Sequence, residues 1–139
     1  MDYGYIKALD IMKNAKIDLQ DIYNTAECKG LENAEVSNSI DELIDDIEKT
    51  RYEIEYYLRP AKEGCLTENS TGKFKLEYFN GGSSYHLGYG SRLEIYDGEE
   101  GWKVGRVRHN INKGYYFYNK ELGNPALYSG MKARLRINE

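Results

Sequence analysis

Pro60 divides this chain into two halves with different hydrophobic periods. Proline has no backbone N–H and disfavours helical geometry in the residue before it. A helix that reaches Arg59 must therefore stop there. Before this point apolar side chains recur every three or four residues, the spacing of one helix face. After residue 72 they alternate, the spacing of strands with one buried face.

In the first half, Ile6, Leu9, Met12, Ala15, Leu19, Ile22 and Ala26 predict an amphipathic helix over residues 2–28. Residues 29–36 read as the connector, with Gly30 as its C-cap. Ser39 with Glu42 three residues on forms a capping box, so the second helix is expected from Ser39 to about Leu58. Within it Ile40, Ile47 and Ile54 recur every seven residues, with Leu43, Thr50 and Tyr57 at the partner positions. Ile44 and Leu58 widen that seam. A lone hairpin of two helices cannot bury both apolar faces. A second chain in a four-helix arrangement would do so, which predicts at least a dimer.

Residues 61–71 read as a linker. The β half then opens with Phe74, Leu76 and Tyr78 on one face and Lys75, Glu77 and Phe79 on the other. Residues 80–84 are a glycine-rich turn, and residues 85–90 a short edge segment. A strand over residues 92–96 should point Leu93 and Ile95 inward, and Asp97-Gly98 signals a hairpin. The strand that follows, residues 101–109, sets Trp102, Val104, Arg106 and Arg108 against Lys103, Gly105, Val107 and His109. Tyr115 to Tyr118 and residues 132–137 complete the set. The expected fold is α+β: an antiparallel helical hairpin over residues 1–60, then a small antiparallel β meander or open barrel over residues 72–139.

Charge follows the same division. Residues 1–65 hold eight Lys and Arg against fifteen Asp and Glu; residues 66–139 hold eleven against eight. The mildly basic, tyrosine-rich second half suits an anionic partner. It is too weakly basic to grip a long duplex through many phosphates. No apolar run approaches the roughly 20 residues that span a bilayer. The first residues lack the basic and apolar regions of a signal peptide, so the expected compartment is the cytoplasm. Cys28 and Cys65 show no metal-ligand spacing. In an antiparallel hairpin about 20 helical residues hold them roughly 30 Å apart. That is beyond disulfide reach, so both should be free thiols.

Enzyme signatures are absent. Residues 80–84 lack the lysine and following helix of a phosphate loop, and Gly88-Tyr89-Gly90 is followed by no βαβ unit. No nucleophile, base and orienter can be argued together, so no catalytic residue, cofactor or metal is expected. Binding residues are plentiful. Phe79, Tyr85, Tyr89, Trp102 and Tyr116 can stack rings, and Arg92, Arg106, Arg108, Arg134 and Arg136 can hold phosphates. Most tyrosines in such a domain are packing residues with a wet hydroxyl. Arg106 and Arg108 share a face and repel unless an anion, or Glu94, Glu99 and Glu100, lies between them.

Residues 72–76, 87–95, Gly101-Trp102, Arg106-Val107 and Tyr115-Tyr116 resemble a small β domain common in proteins of phages and other bacterial mobile elements. With the helical hairpin in front, the chain is similar to the phage anti-Thoeris proteins of the first described type. The resemblance implies a non-enzymatic sponge for the cyclic ADP-ribose signal of bacterial TIR-domain proteins, with cyclic oligonucleotides as further ligands, assembled into oligomers through its helices. It implies that Phe79 meets a base and Arg106 a phosphate, and it leaves Trp102 to the core. Face and charge extend the expected ligand set to Asn80, Arg108 and Arg134. The competing reading is a protein-binding, anti-CRISPR-like inhibitor that uses the acidic hairpin as a nucleic-acid mimic. A single-stranded nucleic-acid binder is disfavoured by the net acidity.

Overall fold

The computed structural model describes residues 1–82 and 84–138. They form two compact units, Met1–Arg59 and Pro60–Glu139. Ser83, part of the expected glycine-rich turn, lies outside the described residues.

The first unit is a helical hairpin of α1 (Tyr3–Thr25) and α2 (Leu31–Leu58). Asp2 caps α1 by accepting from Gly4 N at 2.6 Å. The second helix starts eight residues before the expected Ser39, because nothing between residues 31 and 38 interrupts helical geometry. Gly30, at φ +89°, is its N-cap and not the C-cap of α1. Ser39 and Glu42 thus lie inside a helix, where the capping box has no orphan N–H to serve. Leu9 and Ile44 are the buried apolar residues of this unit, while Leu43 and Leu58 on the predicted seam are exposed. No helix of the described residues is long and apolar enough to cross a membrane.

The second unit is a seven-stranded sheet curled into a half-barrel, in the order β3-β2-β1-β7-β4-β5-β6. Its strands are β1 (Ala61–Glu68), β2 (Phe74–Tyr78), β3 (Tyr85–His86), β4 (Arg92–Asp97), β5 (Gly101–Asn110), β6 (Gly114–Tyr118) and β7 (Lys132–Arg136). All pairings are antiparallel. Two meanders, β1–β3 and β4–β6, are joined because β7 inserts between β1 and β4.

The expected linker is therefore β1, an interior strand of the sheet. Its glycine and charged residues hid it, since strand propensity is mostly a matter of fit to neighbours. Gly64 is required there, because a Cβ at this position would run into the backbone carbonyl of Glu77 on β2. Leu66, Phe74, Leu76, Leu87, Leu93, Ile95, Val107, Phe117, Leu127, Met131, Ala133 and Leu135 form one core on the inner face.

That core fixes the register of β5. Val107 is fully buried, and a Cβ at Gly105 would stand 2.6 Å from Phe117 Cζ, so odd-numbered positions face inward. Trp102 consequently lies on the outer face and not in the core. Its ring packs on Tyr96 at 5.3 Å and under the Arg134 guanidinium at 4.1 Å.

Candidate functional site

Alternation along β4, β5, β6 and β7 gathers Arg92, Tyr96, Trp102, Arg106, Arg108, Tyr116, Tyr118, Arg134 and Arg136 on the outer face. Register sets Arg92 opposite Arg106, Glu94 opposite both Val104 and Arg134, and Tyr96 opposite Trp102. On the far side of β5, Arg106 opposes Tyr118 and Arg108 opposes Tyr116.

At the centre of this face Glu94 is 2% exposed. Its Oε1 accepts from Arg134 Nε at 3.0 Å and Nη2 at 2.9 Å, and its Oε2 accepts from Arg136 Nε at 2.8 Å. One buried carboxylate thus holds two guanidiniums, and Arg134 also lies over Trp102. These bonds satisfy the charge of Glu94, which is why a carboxylate is tolerated there. Arg134 is accordingly occupied by the protein itself.

Arg106 and Arg108 differ. Arg106 is exposed, and its Nη1 donates to Gly90 O at 3.0 Å. Arg108 lies 3.8 Å over the Tyr118 ring. Among the described residues neither is ion-paired with a carboxylate. Two of the acids expected to neutralise them are engaged elsewhere: Glu94 binds Arg134 and Arg136, and Glu100 pairs with Lys103 at 2.8 Å. Glu99 sits exposed in the β4–β5 turn, with its backbone N–H on Asp97 Oδ1.

The structure thus brings three of the five expected ligand residues, Arg106, Arg108 and Arg134, to one face. Phe79 and Asn80 stand apart, in the turn after β2. Phe79 is 59% exposed, and its N–H donates to Glu63 O, which continues the β1 pairing by one residue. Strands β2 and β5 are separated by β1, β7 and β4. At about 4.8 Å per strand, Phe79 lies roughly 19 Å along the sheet from the strand of Arg106. Beside it Tyr78 is pushed above the usual tyrosine range, first by burial and then by Tyr85, with Lys62 Nζ 4.2 Å from its ring centre.

Besides Tyr116 and Tyr118 on β6, the turn bonded to Arg106 carries a further aromatic, Tyr89. It occupies the turn over residues 88–91, closed by Ser91 N on Gly88 O at 3.1 Å and by Gly88 N on Ser91 Oγ at 3.1 Å. Gly90, at φ +85°, supplies the third position that such a turn requires. Gly90 N donates to Val107 O at 2.6 Å and Val107 N to Ser91 O at 2.8 Å. The sequence offered one signal for this, the Gly-Tyr-Gly-Ser turn, but not its docking on β5.

In the helical unit a groove of about 580 Å³ is lined by Lys13, Lys16, Ile17, Gln20, Asp21, Asn24 and Arg51. Its cations are partly spent, since Glu48 accepts from Lys16 at 3.2 Å and Arg51 at 2.9 Å.

Residues 64–135, just over half of the chain, match the family model of DUF5348, a domain of unknown function. No curated protein and no solved structure matches the chain. The match runs from the middle of β1 to the penultimate residue of β7, so it takes in most of the sheet and all of its arginine-bearing face but Arg136. The chain belongs to the DUF5348 family.

Proposed function

We propose that the protein is a non-enzymatic binding module that sequesters a cyclic nucleotide signal, a cyclic ADP-ribose isomer or a cyclic oligonucleotide. In this reading it acts in the bacterial cytoplasm, blocks TIR-based (Thoeris) defence, and assembles as an oligomer through its helices. The observation that carries the reading is the pair Arg106 and Arg108. They share the outer face of β5, have no carboxylate partner among the described residues, and have aromatic rings beside them. Two adjacent like charges are unfavourable in the free protein and are relieved by a bound anion. Guanidiniums with neighbouring rings suit a ligand that combines phosphate and base.

Calorimetry with cyclic ADP-ribose isomers and cyclic dinucleotides is the test. Binding that Arg106→Ala weakens at least tenfold, with the ligand recovered intact after heating the complex, supports a sponge. Cleaved ligand would make the protein a hydrolase, and no heat with any of these nucleotides would end the proposal. Sedimentation at micromolar concentration tests the oligomer, which a monomer would refute.

A second reading has its own observation. Asp41, Glu42, Asp45 and Asp46 are exposed along α2. Among the described residues the Asp46 carboxylate is ion-paired with Lys49 alone, at 4.0 Å between two solvated side chains. This supports an acidic docking surface for a basic protein. Charge reversal at Asp45 and Asp46 would then abolish function while Arg106→Ala would not. Glu48 is unsuited to that test, because its reversal would break the contacts to Lys16 and Arg51 within the hairpin.

A further inference from the structure

We infer that the turn over residues 88–91 is the ring-holding arm of the arginine site, with Tyr89 as the side chain that stacks on the base of the ligand. The inference rests on the nucleotide-binding reading and replaces Phe79 in the base-stacking role.

Three bonds tie this turn to the arginine pair. Val107, the residue between Arg106 and Arg108, gives its O to Gly90 N and its N–H to Ser91 O. Arg106 Nη1 donates to Gly90 O from the side chain. The turn is thereby locked against β5 at Val107, with the Arg106 guanidinium on its Gly90 carbonyl. Its large exposed side chain is Tyr89, 71% accessible.

The other rings of the face are already engaged. Tyr118 lies under Arg108, Trp102 under Arg134, and Tyr96 against Trp102. Among the described residues Tyr89 has no hydrogen bond, ring or cation contact. An exposed aromatic on a braced turn gains contact area on binding at little further ordering cost. The arrangement fits an anion that carries a planar ring, with Arg106 on phosphate and Tyr89 on the ring face.

The test compares wild type, Tyr89→Ala, Tyr89→Phe, Phe79→Ala and Arg106→Ala. The calorimetric probes are cyclic ADP-ribose isomers and inorganic pyrophosphate, which has no ring. Tyr89→Ala is expected to weaken nucleotide binding about tenfold and leave pyrophosphate binding within twofold, since one stacked base is lost. Tyr89→Phe should restore the nucleotide affinity, because the ring and not the hydroxyl is used. Arg106→Ala should weaken both probes, and Phe79→Ala neither. Equal nucleotide affinity for wild type and Tyr89→Ala, or a larger loss from Phe79→Ala, overturns this inference and leaves the nucleotide-binding reading standing. Absence of nucleotide binding by wild type overturns both.

Discussion

The helical unit and the β unit bury their apolar residues to very different degrees. In the hairpin only Leu9 and Ile44 are buried among the described residues, and Ile11, Ile17, Ile22, Val36 and Leu43 are exposed. In the β unit twelve residues form one continuous cluster. A helix draws most of its stability from packing of its apolar face, whereas the half-barrel closes its own face by curling. The difference predicts separate behaviour when the chain is cut. Residues 60–139 expressed alone should keep a cooperative thermal transition. Residues 1–59 alone should show weak helicity and a broad, non-cooperative melt at concentrations below those at which the helices associate. Circular dichroism of the two fragments reads both, and a cooperative hairpin fragment would erase the contrast.

Within the β unit the largest single-residue effect should fall at the centre of the cluster. Phe117 is fully buried, and Phe117→Ala should cost about 3–5 kcal/mol in urea denaturation. The outer face comes next. Glu94→Ala would remove the carboxylate that Arg134 and Arg136 share. The expected loss is about 3 kcal/mol, at the low end for a broken buried pair because the guanidiniums keep some water. A smaller loss from Glu94→Ala than from Gly105→Ala would invert this order. Gly105→Ala forces a methyl against Phe117 and Tyr118 O, and overpacking of that kind costs about 1–3 kcal/mol.

How much of this was legible in the sequence depended on whether local pattern or pairing decided each element. Phe74, Leu76, Leu93 and Ile95 obeyed strict alternation, so β2 and β4 and their inward residues were readable. The Asp97-Gly98 turn was equally plain, since turn chemistry is local. β1 was not legible. Its pairing with β2 and β7, and the close approach at Gly64, are tertiary facts without local trace. The start of α2 was misplaced because a capping box is a statistical signal, and Gly30 nine residues earlier offered a sharper break. In the site, Arg106 and Arg108 could be placed on one face by period alone. The inward face of β5 could not be chosen by residue size, because Gly105 makes room for Phe117 and turns Trp102 outward. Phe79 was set with Arg106 by resemblance, and the strand order separates them.

The smallest expected effect is electrostatic and separates the two units by the way they pair their charges. In the hairpin, Glu48 is half-shielded between Lys16 and Arg51. Near the start of β5, Lys103 instead joins two loops, donating to Glu100 and Glu121 at 2.8 Å each. Hydrogen bonds to those carboxylates, first Glu100 and then Glu121, hold the Lys103 ammonium well above the usual lysine range. The hydrogen bond and charge of Lys103 hold Glu121 below the usual carboxylate range. For Glu121 the folded pKa is depressed, so its stabilising contribution is complete above the unfolded carboxylate pKa and is lost as pH falls through the folded one. For Lys103 the folded pKa is raised, so its contribution is complete below the unfolded lysine pKa and is lost as pH rises through the folded one. The contact therefore contributes across the whole neutral range and fades at both extremes. Lys103→Met should return the Glu121 titration, followed by carboxylate NMR, to the ordinary range. The accompanying change in Tm should be small and should shrink further in 1 M salt, because the pair is solvent-screened. A Tm change that persists undiminished in high salt would mean that Lys103 supports β5 by packing its stem and not by its charge.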